Sequence, residues 1–306
     1  MDRLDLRLVE YFVAVAEELH FGRAAERLHI AQPSLSQQIR RLESQVGVTL
    51  LERNTRSVKL TAGGEALLRE GRRTLNQSRR ALRAARAAGE LAVTVGFYGS
   101  AGGDLLPAAI RTFNRSQPGA GVRIRELFLG SLDDLLHGEV DIAFTRLQPG
   151  QTELEVEVLR EEPRFVALAV EHPLANRASL KFADLRDESF IVNPAVETDD
   201  IPERWLREQR RHGLPGRVAA KGASVQEVLT LVASGQGVAL VPLAVTRRHP
   251  RPDLVYLPVV DAEPALVSLA RPPGRPHEVV QGFIEAARRA ARAADHEPEP
   301  AARNPT

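Results

Sequence analysis

Between Arg27 and Glu43 the chain reads RLHIAQPSLSQQIRRLE, and its polar side chains hydrogen-bond without carrying negative charge. Gln32, Ser34, Ser36, Gln37, Gln38, Arg40 and Arg41 supply amides, hydroxyls and two guanidiniums, with no acid before Glu43. Groups of this kind match the donors and acceptors on base edges in a DNA major groove, where a carboxylate would meet phosphate repulsion. A second chemistry is suggested by GFYGSAGGDLLP, a small, glycine-rich loop between an apolar run and a helical pattern. Backbone donors at such a helix start, with the helix dipole behind them, attract an anion, and Ser100 adds a hydroxyl. The segment LGSLDDLL repeats the arrangement with Gly130 and Ser131, though Ser131 also fits a plain helix N-cap.

The elements around these residues follow from periodicity. Leu4, Leu8, Tyr11, Phe12 and Val15 recur at three- and four-residue intervals and predict an amphipathic first helix. A short helix fits Gly22 to Leu28, and a third begins near Pro33, tolerated in a first turn because no intrahelical donor is needed there. Leu35, Ile39, Leu42 and Val46 are its expected buried stripe. Two short helices joined by a tight turn, the second with a polar outer face, form a helix-turn-helix pattern. Leu50, Leu51, Val58 and Leu60 then flank the polar tip Asn54–Ser57, which reads as a β-hairpin wing with arginines near its end.

Thr61 and Glu65 open a long segment rich in Ala, Leu, Arg and Glu, predicted helical to about Ala88. Leu68, Leu75 and Leu82 stand seven apart with Gly71, Ser78 and Ala85 filling the alternate positions, a spacing that marks a seam for a partner helix. Packing on the chain's own domain is the alternative, and a dimer is expected. Beyond Gly89 apolar strand runs alternate with helices, so mostly parallel α/β sheets are expected, in two linked subdomains with a cleft between them. Further helices are expected near Pro202–Arg211 and Val225–Ala233, and a last one over Glu278–Ala293. The polar, proline-rich end, residues 295–306, reads as a disordered tail.

Composition narrows the classes. The 306 residues suffice for about two domains. The absence of cysteine excludes disulfides, thiolate metal sites and a cysteine nucleophile. Residues 1–90 hold 16 Lys plus Arg against 11 Asp plus Glu, while the remainder holds 25 against 29, so a polyanion partner is expected for the front alone. The amphipathic, charged start and the lack of a long apolar run predict a cytoplasmic protein without a membrane span. None of the eight histidines forms a metal-like pair, and no GxSxG elbow, phosphate-loop lysine or GxGxxG follows a strand. An enzyme is not expected, and neither is a cofactor or metal.

The segment FVAVAEELHFGRAAERLHIAQPSLSQQIRRLESQVGVTLLERNTRSVKLTAGGEALL closely resembles the N-terminal signature of LysR-type transcriptional regulators. Its turn, third helix, wing and following helix start keep that family's order and spacing. RIRELFLGS, GEVDIAF, ALAVEHPLA and SGQGVALVP resemble the family's ligand-binding core, so the likeness covers essentially residues 1–294. The form is nearest to regulators of aromatic-compound degradation that respond to small carboxylates.

The resemblance implies a winged helix-turn-helix over 1–60 and a linker and dimerisation helix over 61–89. An effector domain over 90–294 would follow, built like a type 2 periplasmic binding protein from two Rossmann-like subdomains (about 90–165 with 265–294, and about 166–264). It implies double-stranded DNA with an interrupted palindromic operator, a homodimer or homotetramer, RNA polymerase and a small-molecule effector as partners. Carried over by position, Gln32, Pro33, Ser34, Ser36 and Gln37 would enter the groove, with Ser34 alternatively a cap and Pro33 against a thymine methyl. Arg40 or Arg41 would lie on phosphate or pack on the wing, and Arg53 and Arg56 would reach the minor groove or backbone. Many relatives carry arginine where this chain has Gln37, so the base read there is expected to differ. Ser100 and Ala101, with Gly130 and Ser131, would meet an effector carboxylate. Phe144, Thr145, Arg146, Asn193, Pro194, Val225 and Gln226 would wall the cleft. Phe144 alternatively is plain core, and Arg146 alternatively pairs with a neighbouring acid.

Overall fold

A computed structural model describes residues 4–53, 58–86, 91–127, 132–150, 152–192 and 217–294. The chain divides into two compact units, residues 1–88 and 89–306. The expected wing tip with Arg56, the positions Gly130, Ser131, Asn193 and Pro194, the helix near Pro202–Arg211 and the tail lie outside the described residues.

In the first unit α1 spans Leu6–Glu18, α2 Phe21–Arg27 and α3 Gln32–Val46. Asp5 caps α1 through the amide of Arg7, and Nδ1 of His20 accepts from the amides of Gly22 and Arg23 at the start of α2. The apolar stripes meet as their spacing requires: Phe12, Val15, Leu35, Ile39 and Leu42 are all fully buried in one core. Two expected members fall outside it. Leu4 precedes the first turn and Val46 ends α3, so neither has a facing helix, and both are exposed. Gly47 in the left-handed region ends α3, and the wing follows as β1 (Leu51–Arg53) paired antiparallel with β2 (Val58–Leu60).

The long helix α4 covers Ala62–Arg86, and the Thr61 hydroxyl caps it by accepting from the amide of Gly64. Its heptad series divides between two uses. Leu68 and Leu75 pack on the unit's own core, and a Cβ on Gly71 would sit 2.9 Å from Val9 Cγ1, so α1 occupies that part of the seam. Leu82 lies beyond α1 and is 57% exposed. A seven-residue spacing marks a face that packs on a helix; it does not say whose helix.

The second unit holds two lobes. In lobe I a five-stranded sheet has the order β4-β3-β5-β12-β6, built from β3 (Ala92–Tyr98), β4 (Gly121–Leu127), β5 (Ile142–Thr145), β6 (Glu155–Glu162) and β12 (Ala265–Arg271). The helices α5 (Leu105–Ser116) and α9 (Glu278–Ala294) pack against it, with the Phe113 and Phe283 rings 5.5 Å apart. A short helix, α6 (Asp133–Leu136), precedes β5.

Lobe II joins β7 (Arg164–Ala169) antiparallel to β10 (Ala239–Pro242) and β11 (Leu254–Pro258), with β8 (Phe190–Val192) parallel to β9 (Val218–Lys221). Its helices are α7 (Val225–Ala233) and α8 (Leu243–Arg248). The sheets are therefore mixed, not mostly parallel. The chain crosses between lobes after β6 and again before β12, and those two strands run antiparallel to their neighbours, a direction that apolar runs do not encode. Charge hid β6 as a strand, since EVEVLREE reads as a solvated segment; it is an edge strand, where charges are expected.

Candidate functional site

The outer face of α3 is built by what its inner face buries. Helical rotation puts Pro33, Gln37, Arg40 and Arg41 opposite Leu35, Ile39 and Leu42, and all four are exposed, as are Gln32 and Ser34. Ser36 is half-buried at the edge. Ser34 is the third residue of the helix, and Ala31 holds the N-cap position without a side-chain hydrogen bond. The capping alternative for Ser34 is thereby removed, and the first-turn amides have no side-chain cap to compete with a phosphate or a base.

Three acids of the first unit are engaged away from this face. Glu43 points its Oε1 to the amides of Leu50 (3.0 Å) and Leu51 (3.2 Å) at the wing. On α1, Glu17 binds Arg27 at 2.7 Å and Arg72 at 2.8 Å, while Glu18 binds Arg23 at 3.2 Å. The hydrogen bond to Glu17 raises the Arg27 guanidinium above its ordinary range. Glu43, Glu17 and Glu18 are thus turned to partners within the unit, and amides, hydroxyls and the Arg40 and Arg41 cations lie outward. Arg53 ends β1 at the wing.

In lobe I the predicted anion loop lies between β3 and α5, with Gly99 at φ 49° and Gly103 at φ 37°. Part of its expected donor set is spent internally. The amides of Ala101, Gly103 and Leu106 bond to the carbonyls of Tyr98, Ser100 and Gly102. Ala101 is fully buried, so its side chain serves the core and is not a contact surface. Phe144 is likewise fully buried among Val93, Val95, Val267 and Leu269, which makes it core and not an open cleft wall. For Phe144 the core alternative holds, and one reason covers both residues: an apolar residue beside a loop looks the same whether a ligand or a helix covers it. On lobe II, Val225 faces this loop, its Cγ2 3.8 Å from where a Cβ on Gly99 would stand. Gln226 beside it is exposed.

Arg146 is the polar centre of the region. Its guanidinium donates to the Leu266 carbonyl at 3.0 Å, to both the carbonyl and the hydroxyl of Ser100 at 3.2 Å, and to Glu162 at 3.3 Å. Burial pulls its pKa below the ordinary arginine value against the opposing pull of Glu162. Glu162 is only 2% exposed and also accepts from Arg160 at 2.7 Å, whose Nε is buried without a partner. Two guanidiniums share one carboxylate, so the cluster carries an excess positive charge beside Ser100. Arg146 does pair with an acid, as its alternative reading had it. Arg160 and Glu162 were missed, although their two-residue spacing places them on one face of a strand, opposite Val267 and Ala265 on β12.

These two pieces, a helix-turn-helix with an acid-free outer face and a two-lobed α/β unit, coincide with known models. Residues 6–65 match the "Bacterial regulatory helix-turn-helix protein, lysR family", and residues 84–292 match the "LysR substrate binding domain". The chain belongs to the LysR family. This LysR-type regulator is 37% identical to the HTH-type transcriptional regulator AlsR of Bacillus subtilis over 243 residues, covering 78% of this chain and 80% of that one. It is 32% identical over 265 residues to the HTH-type transcriptional regulator BenM of Acinetobacter baylyi, covering 85% and 87% of the two chains. Among solved structures it resembles full-length CbnR complexed with its target DNA, with a TM-score of 0.55, 27% identity and coverage of 94% of this chain and 100% of that one. The LysR-type chain is therefore a DNA-binding transcriptional regulator with an effector-binding domain, and not an enzyme. No described helix is long and apolar enough to cross a membrane.

Proposed function

We propose that this LysR-type regulator reads an interrupted palindromic operator as a homotetramer and is switched in the cytoplasm by a small carboxylate, aromatic in the resembled branch. In this reading Gln32, Pro33, Ser34, Ser36 and Gln37 meet base edges, Arg40 and Arg41 meet phosphate, and Arg53 and Arg56 serve the wing's contacts. The observation that carries operator reading is the outward strip of α3, whose one acid, Glu43, is turned to the wing backbone. Residues 61–89 would join protomers, with Leu82 the apolar side chain left over by α1. RNA polymerase would be the recipient of the bend that effector binding alters.

The effector chemistry rests on the Arg146–Glu162–Arg160 cluster, whose excess positive charge beside Ser100 favours a carboxylate. Gly130, Ser131, Asn193, Pro194 and Val225 would complete the cleft around it. The effector must bind one arrangement of the lobes better than the other, or it shifts nothing. Thermal-shift screening of aromatic and aliphatic carboxylates, then footprinting on the upstream region with each hit, tests this reading. Stabilisation by carboxylates but not by the matching amides is expected; a purely cationic or neutral hit set would overturn the carboxylate assignment.

A further inference from the structure

The two lobes of the effector domain touch where the loop after β3 faces α8, and one side chain reaches across. Arg248, the last residue of α8, donates from Nη2 to the carboxylate of Asp104 at 3.0 Å and also to the carbonyl of Gly103. Asp104 occupies the N-cap position of α5, where an aspartate ordinarily binds amides of its own first turn, yet it makes no capping bond. The sequence explains why. The third helical residue is Pro107, which has no N–H to offer, and the amide of Leu106 is already bonded to the Gly102 carbonyl at 2.8 Å. The Asp104 carboxylate is therefore uncontested and directed to the other lobe. Gly103 itself sits against α8: a Cβ placed on it would stand 3.5 Å from Ala244 Cβ.

We propose that Arg248 and Asp104, with the Gly103 carbonyl, form an inter-lobe latch that holds the effector domain in the closure described here, whatever small molecule occupies it. An effector that turns α8 or lifts the 99–104 loop must break the latch, and one that fits beneath it inherits its hold. The pair is solvent-exposed, so its contribution is modest and weakened by salt. A contribution of this size changes the closed-to-open ratio of the lobes by a factor of about two to five.

The test exploits a chain that contains no cysteine. Gly103→Cys with Ala244→Cys brings two Cβ atoms within disulfide range when the lobes are closed, and only then. The full-length variant is oxidised in a fixed glutathione buffer, and the rate of disulfide formation is read by mass spectrometry. Adding Asp104→Asn or Arg248→Gln should slow the rate about two- to fivefold. Combining both should slow it no further, and Arg247→Gln, the exposed neighbour, should leave it unchanged. Higher salt should slow the parent pair but not the Asp104→Asn form. Equal rates in all backgrounds would overturn the latch. If the left-handed backbone at Gly103 prevents the cysteine variant from folding, thermal-unfolding midpoints of Asp104→Asn, Arg248→Gln and Arg247→Gln in the otherwise unchanged chain, at low and high salt, decide it: a salt-sensitive drop confined to the first two supports the latch, and equal midpoints overturn it. No operator or effector enters the measurement, so its failure is separate from that of the functional reading above.

Discussion

Glu43 Oε1 lies 3.0 Å from the amide of Leu50 and 3.2 Å from that of Leu51, so the acid in the second half of α3 is turned onto the wing backbone. This orientation joins two jobs. It satisfies two amides of buried residues and keeps negative charge off the exposed face of α3. Glu43→Ala should leave both amides without this acceptor and cost about 1–3 kcal/mol. Thermal unfolding of the full chain should show the first unit's transition lowered, with operator affinity falling alongside. An unchanged transition would mean that the carboxylate does not hold the wing.

Gln37 and Arg41 lie one helical turn apart on the exposed face of α3 and should fail differently. Gln37→Ala should lose about 1–3 kcal/mol of discrimination at one base pair and little on other sequences. Arg41→Ala should weaken every duplex alike and lower the salt slope by about one. Binding titrations on a set of single-base operator variants at several salt concentrations separate the two. Uniform losses for Gln37→Ala would remove it from base reading.

Gly64 packs its α-carbon against Leu50, the residue just before β1. An added Cβ would lie 2.1 Å from the Leu50 carbonyl oxygen, a backbone atom that cannot swing away. Gly64→Ala should therefore cost more than about 2 kcal/mol or force α4 to shift. Gly119→Ala, with nothing within 4 Å of the new Cβ, is the comparison and should be nearly neutral. Chemical denaturation of both variants decides it.

Glu162 is the shared partner of Arg146 and Arg160. Glu162→Gln would leave two guanidiniums facing a neutral amide in a buried site, at a cost of about 3–5 kcal/mol. If the cluster's positive charge draws a carboxylate, the same variant should regain part of its stability when a bound effector acid replaces the missing charge. Thermal shift with and without the screening hits measures both effects.

Tyr256 donates its hydroxyl to the His249 carbonyl at 2.7 Å, and burial raises its pKa to about 12, with Arg251 opposing. A folded-state value above the unfolded value of 10 means that the folded chain retains the proton longer, so stability falls as pH rises from 10 towards 12. His249 shifts the other way: burial, then the charge of Arg248, lowers it from 6.5. There the unfolded chain takes up the proton first, so stability falls as pH drops below 6.5 and levels off below the folded value. Denaturation midpoints across pH should lose the alkaline limb in Tyr256→Phe and soften the acid limb in Arg248→Gln.

The DNA-reading half was legible because it is local. Leu35, Ile39 and Leu42 declare the buried side of α3 by spacing alone, and the opposite side then follows by geometry. Pro33 and Gly47 punctuate its ends through backbone constraints that need no neighbours. The effector half was legible as a class, a strand–helix alternation in two lobes, but not in its polar centre. Arg160 and Glu162 sit in a charged run indistinguishable from a solvated strand until β12 and the loop after β3 close over them.

The sequence by itself determined the helix-turn-helix, its outward chemistry and the loop that opens α5, because each depends on residues a few positions apart. Tertiary structure alone decided that Phe144 and Ala101 are core, that α1 takes Leu68 and Leu75, that β6 and β12 run antiparallel, and that Asp104 meets Arg248. Asp104 and Arg248, for one, are 144 positions apart. The physical reason is that burial and charge pairing depend on what arrives from elsewhere in the chain, and no local spacing carries that information.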